Sequence, residues 1–172
     1  MIANRVTIRM VLPIFLGLLT TFGLSGCGFT PLYAQKDLDH LNQVYVPMLA
    51  NQEGFILRKQ LQTQLRGSSS ARYHARIDFD EILEEFSLRP DESAARERLT
   101  TIARLKLIDK TTGRAVYRQD FSADSNIDIV SSSYAVISAE DSAVRRNLNN
   151  LAQQITANIA LYFNKQNKQK KQ

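Results

Sequence analysis

Side chains that could exchange a proton, attack a carbonyl or hold a metal are few in this sequence. The densest set of carboxylates is Asp78, Asp80, Glu81, Glu84 and Glu85. Two carboxylates can divide acid and base work when their environments push their pKa values apart. Here they lie in a segment of alternating polar and apolar residues, so the run reads as a solvated strand edge. The two histidines, His40 and His74, are far apart in the chain, and no H-E-x-x-H spacing brings them together as metal ligands. No serine sits in a G-x-S-x-G elbow or an S-x-x-K pair, and no glycine-rich phosphate loop is present. The single cysteine, Cys27, excludes an intramolecular disulfide and a thiolate cluster. These residues point away from an enzyme, and they imply neither a metal nor a cofactor.

Cys27 has a different chemistry in view. Arg5 and Arg9 open the chain with positive charge, and Met10 to Gly23 runs without a charge. That is a signal-peptide core, too short and wrongly flanked for a spanning helix. Leu24-Ser25-Gly26-Cys27 follows and resembles a bacterial lipobox. The resemblance implies cleavage before Cys27 and acylation of its sulfur and amine, giving a lipoprotein held in a membrane. One acyl chain binds membranes only marginally, at ~0.8 kcal/mol per buried CH₂, so stable anchoring needs several.

Loss of residues 1–26 would leave 146 residues, enough for one domain with a core. The overall charge of +5 is misleading. Between Cys27 and Asn164 the chain carries 16 basic and 17 acidic residues, a net of −1. A nucleic-acid domain would carry its positive charge on the fold, so nucleic acid is not an expected partner.

Positioning falls to a short series of elements. Residues 27–41 read as the lipidated N-terminus and a tether. Val44-Tyr45-Val46 reads as a strand stopped at Pro47. A helix is expected from Gln52 to Arg66, with Leu57, Leu61, Leu65 and Phe55 on its apolar stripe and a Gly67–Ser70 loop after it. Tyr73, Ala75, Ile77 and Phe79 alternate with polar residues, and the slip near Asp80-Glu81 suggests a β-bulge. Arg89 to Arg98 reads as a charged connection.

Leu99, Thr101, Ala103, Leu105 and Leu107 form the next alternating set, and Ala115, Tyr117, Phe121 and Ala123 the last. Thr111-Thr112-Gly113 between them fits a three-residue hairpin loop with glycine in the left-handed position. This register pairs Leu107 with Tyr117 and Ala103 with Phe121. Ser125 to Ile137 reads as irregular. Ser138 is the expected N-cap of a last helix running to Phe163, striped by Val144, Leu148, Leu151, Ile155, Ile159 and Tyr162. Residues 165–172 read as a disordered basic tail, whose lysines solubilise the helix end and complement its dipole or else meet anionic lipid.

The order is β-α-β-β-β-α. Two amphipathic helices and a sheet with one apolar face fit an α+β two-layer sandwich, with both helices on one face of a four-stranded sheet and a single domain over residues 42–164.

The same register places Lys106 opposite Arg118 on the polar face, and Arg104 opposite Asp120. Arg72 and Arg76 give the preceding strand the same character. Like charges directly opposite cost stability unless water screens them or an anion lies between them. Ile102, Ile108 and Val116 share the face, a mixture suited to an amphiphile or a protein partner. Arg104, Lys106 and Arg118 are therefore the candidate anion site, and a solvated, edge-protecting face is the alternative.

Cys27-Gly28-Phe29-Thr30-Pro31-Leu32-Tyr33 after the lipobox resembles the mature start of the LptE-type lipopolysaccharide-assembly lipoproteins. Ser133-Tyr134-Ala135, followed by a helix with Leu151-Ala152, Ile155 and Leu161-Tyr162-Phe163, resembles their C-terminal half. The resemblance implies two helices on a four-stranded sheet and a non-enzymatic role. Such proteins plug the outer-membrane barrel LptD, help it assemble and pass lipopolysaccharide to the surface. Gly28 after the lipidated cysteine fits sorting to the outer membrane. An auxiliary periplasmic lipoprotein of a lipid ABC transporter would explain the lipobox and the small domain equally well.

Overall fold

The odd-numbered residues of three strands form one buried face. Ala75 and Ile77, then Leu99, Thr101, Ala103, Leu105 and Leu107, then Phe121, Ala123 and Ile127 are all buried. Their even-numbered neighbours face out, as a period of two requires. The computed structural model describes residues 40–87 and 95–169. The elements are β1 (Val44–Tyr45), α1 (Asn51–Leu65), β2 (Tyr73–Ser87), β3 (Ala95–Asp109), β4 (Ala115–Asp128) and α2 (Ser133–Gln169). The sheet order is β1-β2-β3-β4. β1 pairs with β2 in parallel, and the other pairs are antiparallel. This is the expected α+β order β-α-β-β-β-α.

Both helices cover the buried face. Leu57, Leu61 and Leu65 of α1 are fully buried, as are Leu148, Leu151, Ile155 and Ile159 of α2, and they share one core with β1 to β4. Each such side chain contributes roughly 1.5–3 kcal/mol of burial. Phe55 departs from expectation: it is 54% exposed, off the stripe of the three leucines. One buried polar side chain is fully engaged by its neighbours. Asn147 of α2 donates to Leu99 O at 3.0 Å and Thr101 Oγ1 at 3.2 Å, and accepts from Ser125 Oγ at 2.7 Å.

The expected hairpin register is present, with Leu107 opposite Tyr117, Ala103 opposite Phe121 and Gly113 at φ 68°. Several expectations need correction. The bulge expected at Asp80-Glu81 is absent, because β2 pairs with β3 in one register from Tyr73↔Asp109 to Ser87↔Ala95. The alternation lapses there because Glu81 to Glu85 are exposed on both faces, so no core enforces it. The register shift lies instead in the β3–β4 hairpin, between Leu107 and Ile108.

Residues 95–98, expected in a connection, are strand, and so are residues 125–128. The last helix begins at Ser133 rather than after Ser138. Ala135 N–H donates to Ser132 Oγ at 3.4 Å and Val136 N–H to Ser132 O at 3.1 Å. Its first turns carry exposed Tyr134 and Ile137, so no buried stripe marked them in the sequence. At the other end, residues 165–169, expected as a disordered tail, continue the helix. Asn167 Nδ2 lies 2.7 Å from His40 Nε2 and ties that last turn to the start of the domain. Among the described residues no helix is long and apolar enough to cross a membrane.

Candidate functional site

With the helices on one face, the other face of the sheet is open, and its cross-strand rows are fixed by the register. The row nearest the hairpin holds His74 and Ile108, with Ala115 opposite Ile108 and Val116 left without a register partner at the shift. His74 packs against Tyr45 with ring centroids 5.2 Å apart. The next row is Arg76, Lys106 and Arg118, with Arg76 opposite Lys106 and Lys106 opposite Arg118. The third is Asp78, Arg104 and Asp120.

Neighbouring strands lie roughly 4.8 Å apart, so three cations in one row repel each other unless something compensates. Farther along, the face is compensated. Arg104 Nη1 meets Asp80 Oδ2 at 2.6 Å, Arg96 Nε meets Asp128 Oδ1 at 2.5 Å, and Thr100 Oγ1 donates to Asp124 Oδ1 at 2.7 Å. The hydrogen bond to Asp80 raises the pKa of Arg104 above its ordinary value. Lys106 reaches Asp78 only at 3.6 Å. Arg76 and Arg118 form no ion pair with the described residues. All three side chains of the row are exposed.

The candidate residues Arg104, Lys106 and Arg118 therefore share a face but differ in state. Arg104 is held by Asp80, whereas Lys106 and Arg118 belong to the surplus row, which Arg76 completes. Arg72 does not join this row. Its Nη2 lies 2.8 Å from Asp109 Oδ2, and Asp109 is buried, with a side chain 4% exposed. The Arg72 guanidinium, helped by the N–H of Thr111 at 2.8 Å, holds the Asp109 carboxyl below its ordinary 3.8. Arg72 also lies over the Tyr73 ring, 5.1 Å from its centroid.

That pair borders a cleft of about 550 Å³ lined by His40, Gln43, Tyr73, Tyr162, Phe163 and Asn167 among others. Sequence reasoning missed the cleft, because its walls come from four segments whose contacts no local periodicity reports. The three-apart and four-apart spacing that continues through Tyr162 was the one available signal. Cys27 lies outside the described residues. Among the described residues no group of three or more His, Cys, Asp or Glu could hold a metal ion.

The family model for LptE, lipopolysaccharide-assembly, matches residues 41–159. That span takes in the whole sheet, all of α1 and most of α2.

This chain belongs to the LptE family.

Solved structures share the fold. One from Caulobacter crescentus, solved at 2.40 Å, superposes with a TM-score of 0.62 at 19% identity, covering 76% of this chain and 97% of that one. The rare lipoprotein B from Shewanella oneidensis gives 0.53 at 12% identity, with 72% and 96% covered. A minor lipoprotein from Acinetobacter baumannii gives 0.53 at 17% identity, with 69% and 89% covered. No curated protein matches the sequence. Membership assigns this chain to lipopolysaccharide assembly, with a basic row on an open sheet face as its most distinctive chemistry.

Proposed function

We propose that this protein is an outer-membrane lipoprotein, acylated at Cys27, that plugs an LptD-type β-barrel, assists its assembly and helps deliver lipopolysaccharide through it. Family membership supports the pathway. The lipobox before Cys27 and Gly28 after it support the anchor and its location. An auxiliary lipoprotein of a lipid ABC transporter would share the lipobox but gives no reason for the family match.

The observation that carries a direct role in lipopolysaccharide handling is the row Arg76, Lys106 and Arg118. Three exposed cations, of which only Lys106 is loosely paired to Asp78 at 3.6 Å, beside Ile108 and Val116 suit an amphiphile with phosphates beside acyl chains. Guanidinium groups bind phosphate in bidentate fashion, which water alone does not replace. Arg104, one row on, would add long-range attraction while staying bonded to Asp80. No cofactor enters this reading.

Lipopolysaccharide binding by purified variants tests it. The double variant Lys106→Glu/Arg118→Glu should weaken binding by at least about tenfold, since one lost charge-assisted contact is worth ~1.5–3 kcal/mol. Arg104→Gln should weaken it less. The circular dichroism spectrum should stay unchanged in both. Unchanged affinity of the double variant at moderate salt, where exposed charges are screened beyond ~8–10 Å, would place the site elsewhere.

A further inference from the structure

The charge of this domain is segregated toward one pole. From Gly54 to Ile77, from Leu105 to Gln119 and from Ser142 to Gln169, the sequence contains a single carboxylate, Asp109. Asp109 is buried and committed to Arg72. The fold brings the ends of these segments together. The loop after α1 meets the β3–β4 hairpin, where Lys110 N–H donates to Arg72 O at 2.9 Å and Lys110 Nζ to Ser69 O at 3.4 Å. The last turns of α2 join them through Tyr117–Tyr162 and Tyr73–Phe163 ring contacts, both at 5.1 Å. Arg66, Arg72, Lys110, Arg114, Lys165 and Lys168 are all exposed at this pole.

The chain enters the domain at the same pole. His40 stacks on Phe163 at 6.0 Å and meets Asn167 of the last helical turn. Cys27 is thirteen residues upstream, a reach of at most roughly 45 Å even if fully extended. The half-buried Tyr73, Tyr117 and Tyr162 add amphipathic rings of the type that sits at headgroup level.

We infer that this basic, tyrosine-bearing pole docks onto anionic phospholipid headgroups of the membrane to which the chain is anchored. Its orientation rests on the proposed acylation of Cys27, but its chemistry does not. The membrane surface potential attracts each nearby Lys or Arg, and the attraction falls off within a Debye length. A tether alone would let the domain tumble. The pole would orient it with the hairpin and the end of α2 toward the bilayer and the acidic far end away from it.

The test uses the chain from residue 27 onward with Cys27→Ser, so that no acyl group contributes. Sedimentation with phosphatidylglycerol-containing vesicles should show binding that added salt reverses, and pure phosphatidylcholine vesicles should show none. The variant Arg114→Gln/Lys165→Gln/Lys168→Gln should bind about fivefold more weakly per neutralised cation, near one hundredfold in all. A control of equal charge change away from the pole, Arg96→Gln/Arg145→Gln/Arg146→Gln, should bind as the parent does.

Absence of binding to the anionic vesicles, or an equal loss in both triple variants, would overturn the proposal. So would a pole variant that binds vesicles normally but no longer co-purifies with the barrel, since the pole would then be a protein interface. Acyl labelling at Cys27 is read separately. Failed vesicle binding with intact labelling would refute the pole, not the anchor.

Discussion

Asp109 keeps a charge in a place that would ordinarily neutralise it. Its side chain is almost fully buried, yet Arg72 and the N–H of Thr111 satisfy its carboxylate and lower its pKa. The unfolded chain therefore binds a proton at higher pH than the folded chain does. The stabilisation is complete above the ordinary value of 3.8 and is lost as pH falls through the lower folded value. Asp109→Asn should lower the melting temperature at pH 7. The gap between variant and parent should close as pH falls below the ordinary carboxylate range and the folded carboxyl takes up its proton, which thermal melts across that range would show. An equal gap at pH 7 and at acid pH would mean that the carboxylate charge is not what Arg72 stabilises.

The hairpin cations were legible in the sequence. Counting back from the expected turn put Lys106 opposite Arg118, and that pair is present, although the strands close with Ile108 opposite Ala115 and a register shift lies between the turn and the pair. The Arg72–Asp109 pair was not legible. Its partners are 37 residues apart, and the β2–β3 pairing that aligns them is set by long strands rather than by a tight turn.

At the scale of elements, the apolar stripes predicted what is covered, and boundaries were lost where covering stops. The stripe from Leu148 to Ile159 was read correctly because every turn of it is buried. The start of α2 at Ser133 was not, since its first turns are exposed. The exposed stretch from Glu81 to Glu85 is likewise where a bulge was expected in β2 and none occurs.

The junction of β1 and α1 shows what such patterns cannot report. α1 ends with Arg66 in the left-handed region at φ 55°, its N–H donating to Gln62 O at 3.0 Å. Gly67 then passes so close to β1 that a Cβ there would lie 1.9 Å from Val44 O. A sequence shows a glycine in a loop, but not the strand pressed against it. Gly67→Ala must push β1 off the sheet edge or shift the end of α1, and should cost on the order of 1–3 kcal/mol in chemical denaturation. An unchanged denaturation midpoint would mean that β1 yields freely and is not fixed by this approach.

Across the whole molecule, the two faces of the sandwich divide the work. One face and two helices make the core, which leaves the other face free for charge. That face is compensated far from the hairpin and less so near it, where Asp78 alone reaches the cation row, and the basic pole continues the surplus around the end of the sheet. The fold class and order were legible because they follow from stripes and alternation alone. The distribution of charge was only half legible, because it depends on which strands are neighbours.

The proposed anchor, the open basic face and membership of the family lead to the proposal that this protein works beside a barrel. Affinity capture from detergent-solubilised envelopes tests that most directly. The tagged, acylated protein should bring down an LptD-type β-barrel in a stable, near-equimolar complex, together with lipopolysaccharide. Capture of the intact lipoprotein without such a barrel, under conditions that preserve other envelope complexes, would contradict the account.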